Sequence, residues 1–97
     1  MEGGLLFQLL TPLKEVASLR CDSVSLTEMD GTQTLGGSIG IRRGHLPAVV
    51  ALAESSTVKV MSEERLLLSA VVRGGFARVD RDSVTVLTPE ADVTFDT

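Results

Sequence analysis

The sequence predicts an all-β protein, a flattened antiparallel β-sandwich or barrel of about ten short strands in a single domain over residues 1–97. Three observations carry that expectation. Apolar residues alternate with polar ones over most of the chain, with the two-residue period of a half-buried strand. Turn-forming residues separate these runs every 8 to 12 residues or so, the spacing of sandwiches and barrels. The aromatic content is three Phe with no Tyr or Trp, so the core must be aliphatic.

Taken in order, Leu5 to Thr11 and Glu15 to Leu19 read as strands on either side of Pro12. A proline cannot donate to a ladder, which suits it to a turn or an edge. Val24 and Leu26 alternate with small polar residues in Asp22–Thr27, and the pairs Asp30-Gly31 and Gly36-Gly37 supply turns. Ala48 to Ala53 could form a turn and a half of helix, but its paired valines and short length favour a strand. Val58 and Val60 flank Lys59, and Ser62-Glu63-Glu64 reads as a polar hairpin tip. Leu66, Leu68, Ala70 and Val72 make one face of the next strand, after which Gly74-Gly75 and Asp80-Arg81-Asp82 turn the chain. Val84 and Val86 mark a strand over Ser83–Thr88, and the core is expected over about residues 5–88. Residues 89–97, with Glu90, Asp92 and Asp96, read as a short strand or an acidic tail, and we take them as a tail.

Composition excludes several functions. A formal net charge of −4, with Arg42-Arg43 the only adjacent basic pair, argues against nucleic acid. The near absence of aromatic platforms argues against single-stranded nucleic acid and carbohydrate. No apolar run approaches the roughly 20 residues that cross a bilayer, so direct membrane insertion is not expected, nor does Met1–Gly4 have the basic start of an export signal. The single Cys21 has no internal disulfide partner, which fits a reducing compartment, and it reads as inert and structural.

Candidate chemistry is thin. His45, the only His, lacks a neighbouring nucleophile or a second His, and catalysis ranks behind a loop hydrogen-bonding role. The four glycines of Gly36–Gly44 followed by His45 resemble a phosphate cradle only superficially, since neither the P-loop spacing nor a dinucleotide fingerprint is present. The carboxylates of Glu28 and Asp30, Glu63 and Glu64, and Asp80 and Asp82 lack the order of a calcium loop. No metal site and no cofactor is expected.

The ordered series Gly37-Ser38-Ile39-Gly40-Ile41-Arg42-Arg43-Gly44-His45, then Gly74-Gly75-Phe76 and Ser83-Val84-Thr85-Val86-Leu87, resembles the β-sandwich domain of the epsilon subunit of F-type ATP synthases. Leu9-Leu10-Thr11-Pro12 resembles the end of that family's first strand, and the likeness spans about residues 5–88. The resemblance implies a noncatalytic central-stalk subunit on the cytoplasmic side of the cell's inner membrane. Its partners would be the gamma subunit and the c-ring, and it would couple ion flow to ATP synthesis or hydrolysis. It implies a c-ring contact through the loop, here Ser38, Arg42, Arg43 and His45. Candidates for gripping gamma are Leu67, Val71 and Phe76, apolar residues opposite the expected core face or beside the double-glycine turn.

Two departures stand out. Arg43 occupies the place of a usual Pro, and Ser38 replaces a commonly acidic residue, which shifts the loop's charge towards positive. Gly37-Ser38-Ile39-Gly40 is also similar to the loop of a divergent, often sodium-coupled branch. The chain is expected to lack the family's C-terminal helical hairpin, and with it that hairpin's inhibitory action and ATP site. The alternative reading is a free-standing β-sandwich that binds a small anionic ligand through Gly36–His45.

Overall fold

A computed structural model describes residues 4–27, 38–52 and 54–95. Ten strands follow one another: β1 (Leu5–Leu10), β2 (Glu15–Cys21), β3 (Ser23–Thr27), β4 (Ser38–Arg42), β5 (Ala48–Ala51), β6 (Ser56–Ser62), β7 (Arg65–Val72), β8 (Phe76–Val79), β9 (Ser83–Leu87) and β10 (Ala91–Phe95). They form two five-stranded sheets, ordered β2-β1-β9-β8-β5 and β10-β7-β6-β3-β4. The expected sandwich is therefore present, and no helix occurs among the described residues. The turns expected at Asp30-Gly31 and Gly36-Gly37, and the carboxylate of Glu28, lie outside the described residues.

Alternation builds the core. Leu5, Phe7 and Leu9 of β1, Val84 and Val86 of β9, and Ala77 and Val79 of β8 point inward from the first sheet. Val24, Leu26, Ile41, Val58, Val60, Leu68, Ala70 and Val72 meet them from the second. Phe7 is the one aromatic side chain in this cluster. Burial of such side chains contributes roughly 1.5–3 kcal/mol each, and their close packing makes the two layers stiff.

The structure corrects four expectations. The sheets are antiparallel except that β1 runs parallel to β9, with Phe7 opposite Val84 and Leu9 opposite Val86. Residue alternation fixes which side chains face inward but not the direction of the neighbouring strand. Residues 91–95 are not a tail: β10 pairs antiparallel with the outer half of β7. The amide of Arg73 donates to the carbonyl of Glu90 at 3.1 Å, and half-buried Ala91 and Val93 pack against the core. Glu90 and Asp92 remain exposed, which is how an acidic segment can also be a strand.

The other two corrections come from bulges. Between β6 and β7 the register steps from Val60 opposite Leu68 to Met61 opposite Leu66, leaving Leu67 as the extra residue. A bulge of this kind interrupts alternation. Leu66 is consequently half-buried rather than a full core member, and Leu67 turns onto the edge of the core instead of away from it. The same device on β2 leaves Val16 between Ala17, opposite Leu9, and Glu15, opposite Leu10; Val16 likewise packs on the core edge.

Two turns depend on backbone geometry. Gly75 has φ +102°, and a Cβ there would collide with the carbonyl oxygen of Leu87. The carbonyl of Gly75 also accepts the amide of Leu52 at 3.0 Å, tying the end of β5 to this turn. The β6–β7 hairpin closes through Glu63 and Glu64 with φ of 52° and 65°, the positive-φ pair that two-residue hairpin turns require and that Asn-Gly normally supplies. Asp22 steadies the strained tip, its Oδ2 accepting the Glu63 amide at 2.7 Å.

Three outcomes are expected. Gly75→Ala should lower unfolding stability by about 3 kcal/mol or more, from the left-handed penalty plus the backbone clash, and an unchanged melting temperature would contradict this turn geometry. Replacing Glu63-Glu64 with Asn-Gly should raise stability by about 1–2 kcal/mol, measured by denaturant titration. Cys21 is buried with its Sγ 3.6 Å from the carbonyl of Leu5, and burial, aided by the negative charge of Asp22, pushes its thiol up to about 11. The thiol should resist alkylation at pH 8 until the protein unfolds. Because the unfolded thiol ionises first, its contribution to stability is complete below the unfolded pKa of about 8.5 and lost as pH rises towards the folded value; a Cys21→Ala variant should lack this alkaline component.

Candidate functional site

The strands carry the exposed residues to two places. At one end of the sandwich lie the start of β1, the β8–β9 turn, the β6–β7 turn and the β4–β5 loop. At the other lie the β1–β2 turn, the Gly74-Gly75 turn and the β9–β10 connection. Hydrogen bonds across the ladder define each end: Leu6 donates to the carbonyl of Asp82 at 2.9 Å, and Thr88 donates to the carbonyl of Leu10 at 3.1 Å.

The predicted loop residues cluster at the first end. Arg42 closes β4, and a turn over Arg42–His45 follows, with the His45 amide donating to the Arg42 carbonyl at 3.2 Å. Gly44, third in that turn, has φ +91°, as a type II turn demands at that place. The second place favours Pro without requiring it, so Arg43 fits the backbone and adds a charge. The Gly44 amide in turn donates to the carbonyl of Arg81 at 2.6 Å, stapling the loop to the β8–β9 turn. Arg43 lies across Gly4, where a Cβ would meet its Cδ at 2.7 Å. Arg42 and Arg43 are exposed, His45 is half-buried, and Leu46 beside it is 74% exposed. Ser38 opens β4 opposite Thr27, at the far end of that strand from Arg42. The structure thus joins Arg42, Arg43 and His45 but not Ser38.

His45 has Nδ1 2.8 Å from the carbonyl oxygen of Leu46. That contact is a local tether, and the described residues contain no group of three or more His, Cys, Asp or Glu able to hold a metal ion. Among the described residues of this end, nothing arranges a nucleophile against a base.

The other predicted set does not come together. Phe76 is 54% exposed on the outer face of the first sheet, whereas Val71 is 38% exposed on the outer face of the second. Leu67 sits in a polar depression with Arg20, Ser62, Glu63 and Arg65, in keeping with its bulge position. Phe76 has apolar company that the sequence reading missed. In register across the sheet stand Ala51, Phe76, Leu87 and Leu10, all outward-facing. Leu10, Phe76 and Leu87, together with Pro12, Gly75 and Pro89, line an open apolar groove of about 450 Å³, and Leu13 protrudes from the adjacent turn. The signal was legible in one respect: Leu10 and Leu87 continue apolar runs into positions where alternation calls for polar residues.

No helix among the described residues is long and apolar enough to cross a membrane.

Comparison with known proteins bears on the family. The family described as "ATP synthase, Delta/Epsilon chain, beta-sandwich domain" matches residues 5–93. The chain is 39% identical over 64 residues to the ATP synthase epsilon chain of Rhodococcus erythropolis, covering 66% of this chain and 52% of that protein. It is 34% identical over 91 residues to the epsilon chain of Thermobifida fusca, covering 92% and 62%. It therefore spans about half the length of the first and less than two thirds of the second. Among solved structures, the fold is similar to a chain of the Euglena gracilis mitochondrial ATP synthase in its OSCP/F1/c-ring structure, with a TM-score of 0.76 at 21% identity, covering 96% of this chain and 55% of that one. It also resembles a chain of the Tetrahymena thermophila ATP synthase central stalk and c-ring, with a TM-score of 0.65 at 15% identity and coverage of 94% and 67%. At those identities the structural likeness is one of fold. A family match across nearly all of the two-sheet core carries the assignment, and the chain belongs to the ATP synthase delta/epsilon β-sandwich family.

Proposed function

We propose that this chain serves as a noncatalytic central-stalk subunit of an F-type ATP synthase, peripheral to the cytoplasmic side of the inner membrane. In this reading it links gamma to the c-ring and helps couple ion flow to ATP synthesis or hydrolysis. The observation that carries the reading is the family match over residues 5–93, supported by relatives that are named epsilon chains. The physical design agrees. Transmitting torque requires a stiff body with two separate contact surfaces, and a close-packed aliphatic sandwich supplies stiffness without any perturbed catalytic group.

The two ends then take distinct roles. The groove around Phe76, with Leu10, Leu87 and Pro12, is the surface assigned to gamma: it is apolar, open and carried on rigid strands, the character of an interface core. Val71 and Leu67 contribute less, because one faces away on the other sheet and the other is engaged at a bulge. The loop of Arg42, Arg43 and His45, with Ser38 behind it on β4, is assigned to the c-ring. A module that binds a small anion through Gly36–His45 is less well supported, since Arg42 and Arg43 are both exposed and the Arg43 side chain lies across Gly4.

A tagged chain recovered from its own cells in mild detergent should bring gamma and c subunits with it, identified by mass spectrometry. Recovery of the chain alone would overturn the reading. Phe76→Glu should cut recovery of gamma about ten-fold or more, by placing a charge in an apolar contact, while Val71→Glu should leave it within about two-fold.

A further inference from the structure

The β8–β9 turn brings to the loop end a third arginine that the resemblance does not assign. Arg81 is exposed, and its carbonyl holds the Gly44 amide at 2.6 Å, so the arginine side of the turn and the Arg42-Arg43 step belong to one surface. Two ion pairs occur among the described residues, Arg73 with Glu90 and Arg78 with Asp80, both on exposed side chains. Neither includes Arg42, Arg43 or Arg81. Arg81 is flanked in sequence by Asp80, which is engaged by Arg78, and by Asp82, which is exposed. Across the same end the sign reverses: Asp22, Glu63 and Glu64 gather at the β2–β3 and β6–β7 turns, with the Asp22 carboxylate committed to the Glu63 amide.

We infer that Arg81 joins Arg42 and Arg43 in a three-arginine platform that receives an acidic loop of the partner at this end. The inference rests on the proposed c-ring contact and specifies its chemistry: the ring's exposed loop should carry a carboxylate facing this platform. Arginine is suited to that role because its planar fork pairs with a carboxylate bidentately. An anionic membrane surface fits less well. It acts over the whole chain, whose formal net charge is −4, and it would meet Asp22, Glu63, Glu64 and Asp82 on the same end, whereas a discrete loop can address the three arginines alone. The Gly44–Arg81 hydrogen bond fixes the backbone of Arg81 beside the Arg42–His45 turn, and the Arg43 stem lies over Gly4, before any partner arrives.

The test uses the full chain, tagged, as the sole copy in its own cells. An Arg81→Lys variant keeps the charge and supplies an amine, and the intact complex is treated with a water-soluble carbodiimide that joins amines to carboxylates. The expected product is a cross-link from position 81 to an Asp or Glu of the c subunit, located by mass spectrometry, and its yield should fall about ten-fold as salt screens the pair. Arg43→Pro keeps a residue suited to the second place of the turn while removing a charge, and should weaken retention of the ring without changing recovery of gamma. A cross-link only to this chain's own carboxylates or to another subunit, or none at all, overturns the inference while co-purification of the wild-type chain with gamma and the ring leaves the proposed function standing. If the wild-type chain fails to co-purify, that reading and this one fall together. Binding of the isolated chain to phosphatidylglycerol vesicles that is abolished by Arg81→Glu would also overturn it, in favour of a lipid surface.

Discussion

The parallel ladder between β1 and β9 is the constraint on which the rest of the molecule depends. It joins the first strand to the ninth, so the intervening chain must cross the sandwich and return. Parallel neighbours require a long connection, and here the connection includes four of the second sheet's five strands. At one end the ladder sets Leu10 beside Leu87 and binds Thr88 to the carbonyl of Leu10, assembling the Phe76 groove from the β8–β9 pair and the sequence-distant β1. At the other it ties Leu6 to Asp82, which places the β8–β9 turn where Gly44 can reach it. Both surfaces are therefore products of a single strand pairing rather than of the loops that display them.

Division of labour between the two ends follows from their chemistry. The groove end is apolar and built on strand termini, so its shape is set by the core. The arginine end is polar, built on turns, and held by backbone hydrogen bonds that do not consume the side chains. A stiff body between them allows force applied at one to reach the other without repacking, because close-packed interiors deform little. The lone thiol plays no part in this, being buried with its Sγ against the carbonyl of Leu5, while the lone imidazole is tethered to the neighbouring carbonyl of Leu46 within the arginine end.

Much of the fold was legible because its strands obey simple alternation: Ser83–Leu87 and Ser23–Thr27 present alternate valines and leucines to the core as their sequences imply. What alternation cannot express was lost. A bulge at Leu67 inserts a residue without any local sequence mark, and so moved that side chain from the outer face to the core edge. The acidic Glu90 and Asp92 drew the reading of the last segment towards a tail, although Ala91 and Val93 keep the period of a strand. The loop residues Arg42, Arg43 and His45 were legible as a group because they are consecutive or nearly so. Arg81 and the Leu10–Leu87 pair were not, since their proximity is created by pairings between distant segments.

The β1–β9 ladder also has a kinetic meaning. Until the ninth strand exists, β1 has β2 on one side and an open hydrogen-bonding edge on the other, with Phe7 and Leu9 facing no finished core. Pairings of such wide sequence separation form slowly, since loop-closure entropy is lost before the contacts can compensate for it. A chain emerging from the ribosome therefore carries an incomplete sandwich until nearly its last described residues have been made, and during that interval its first strand is the segment most in need of protection from pairing with other chains.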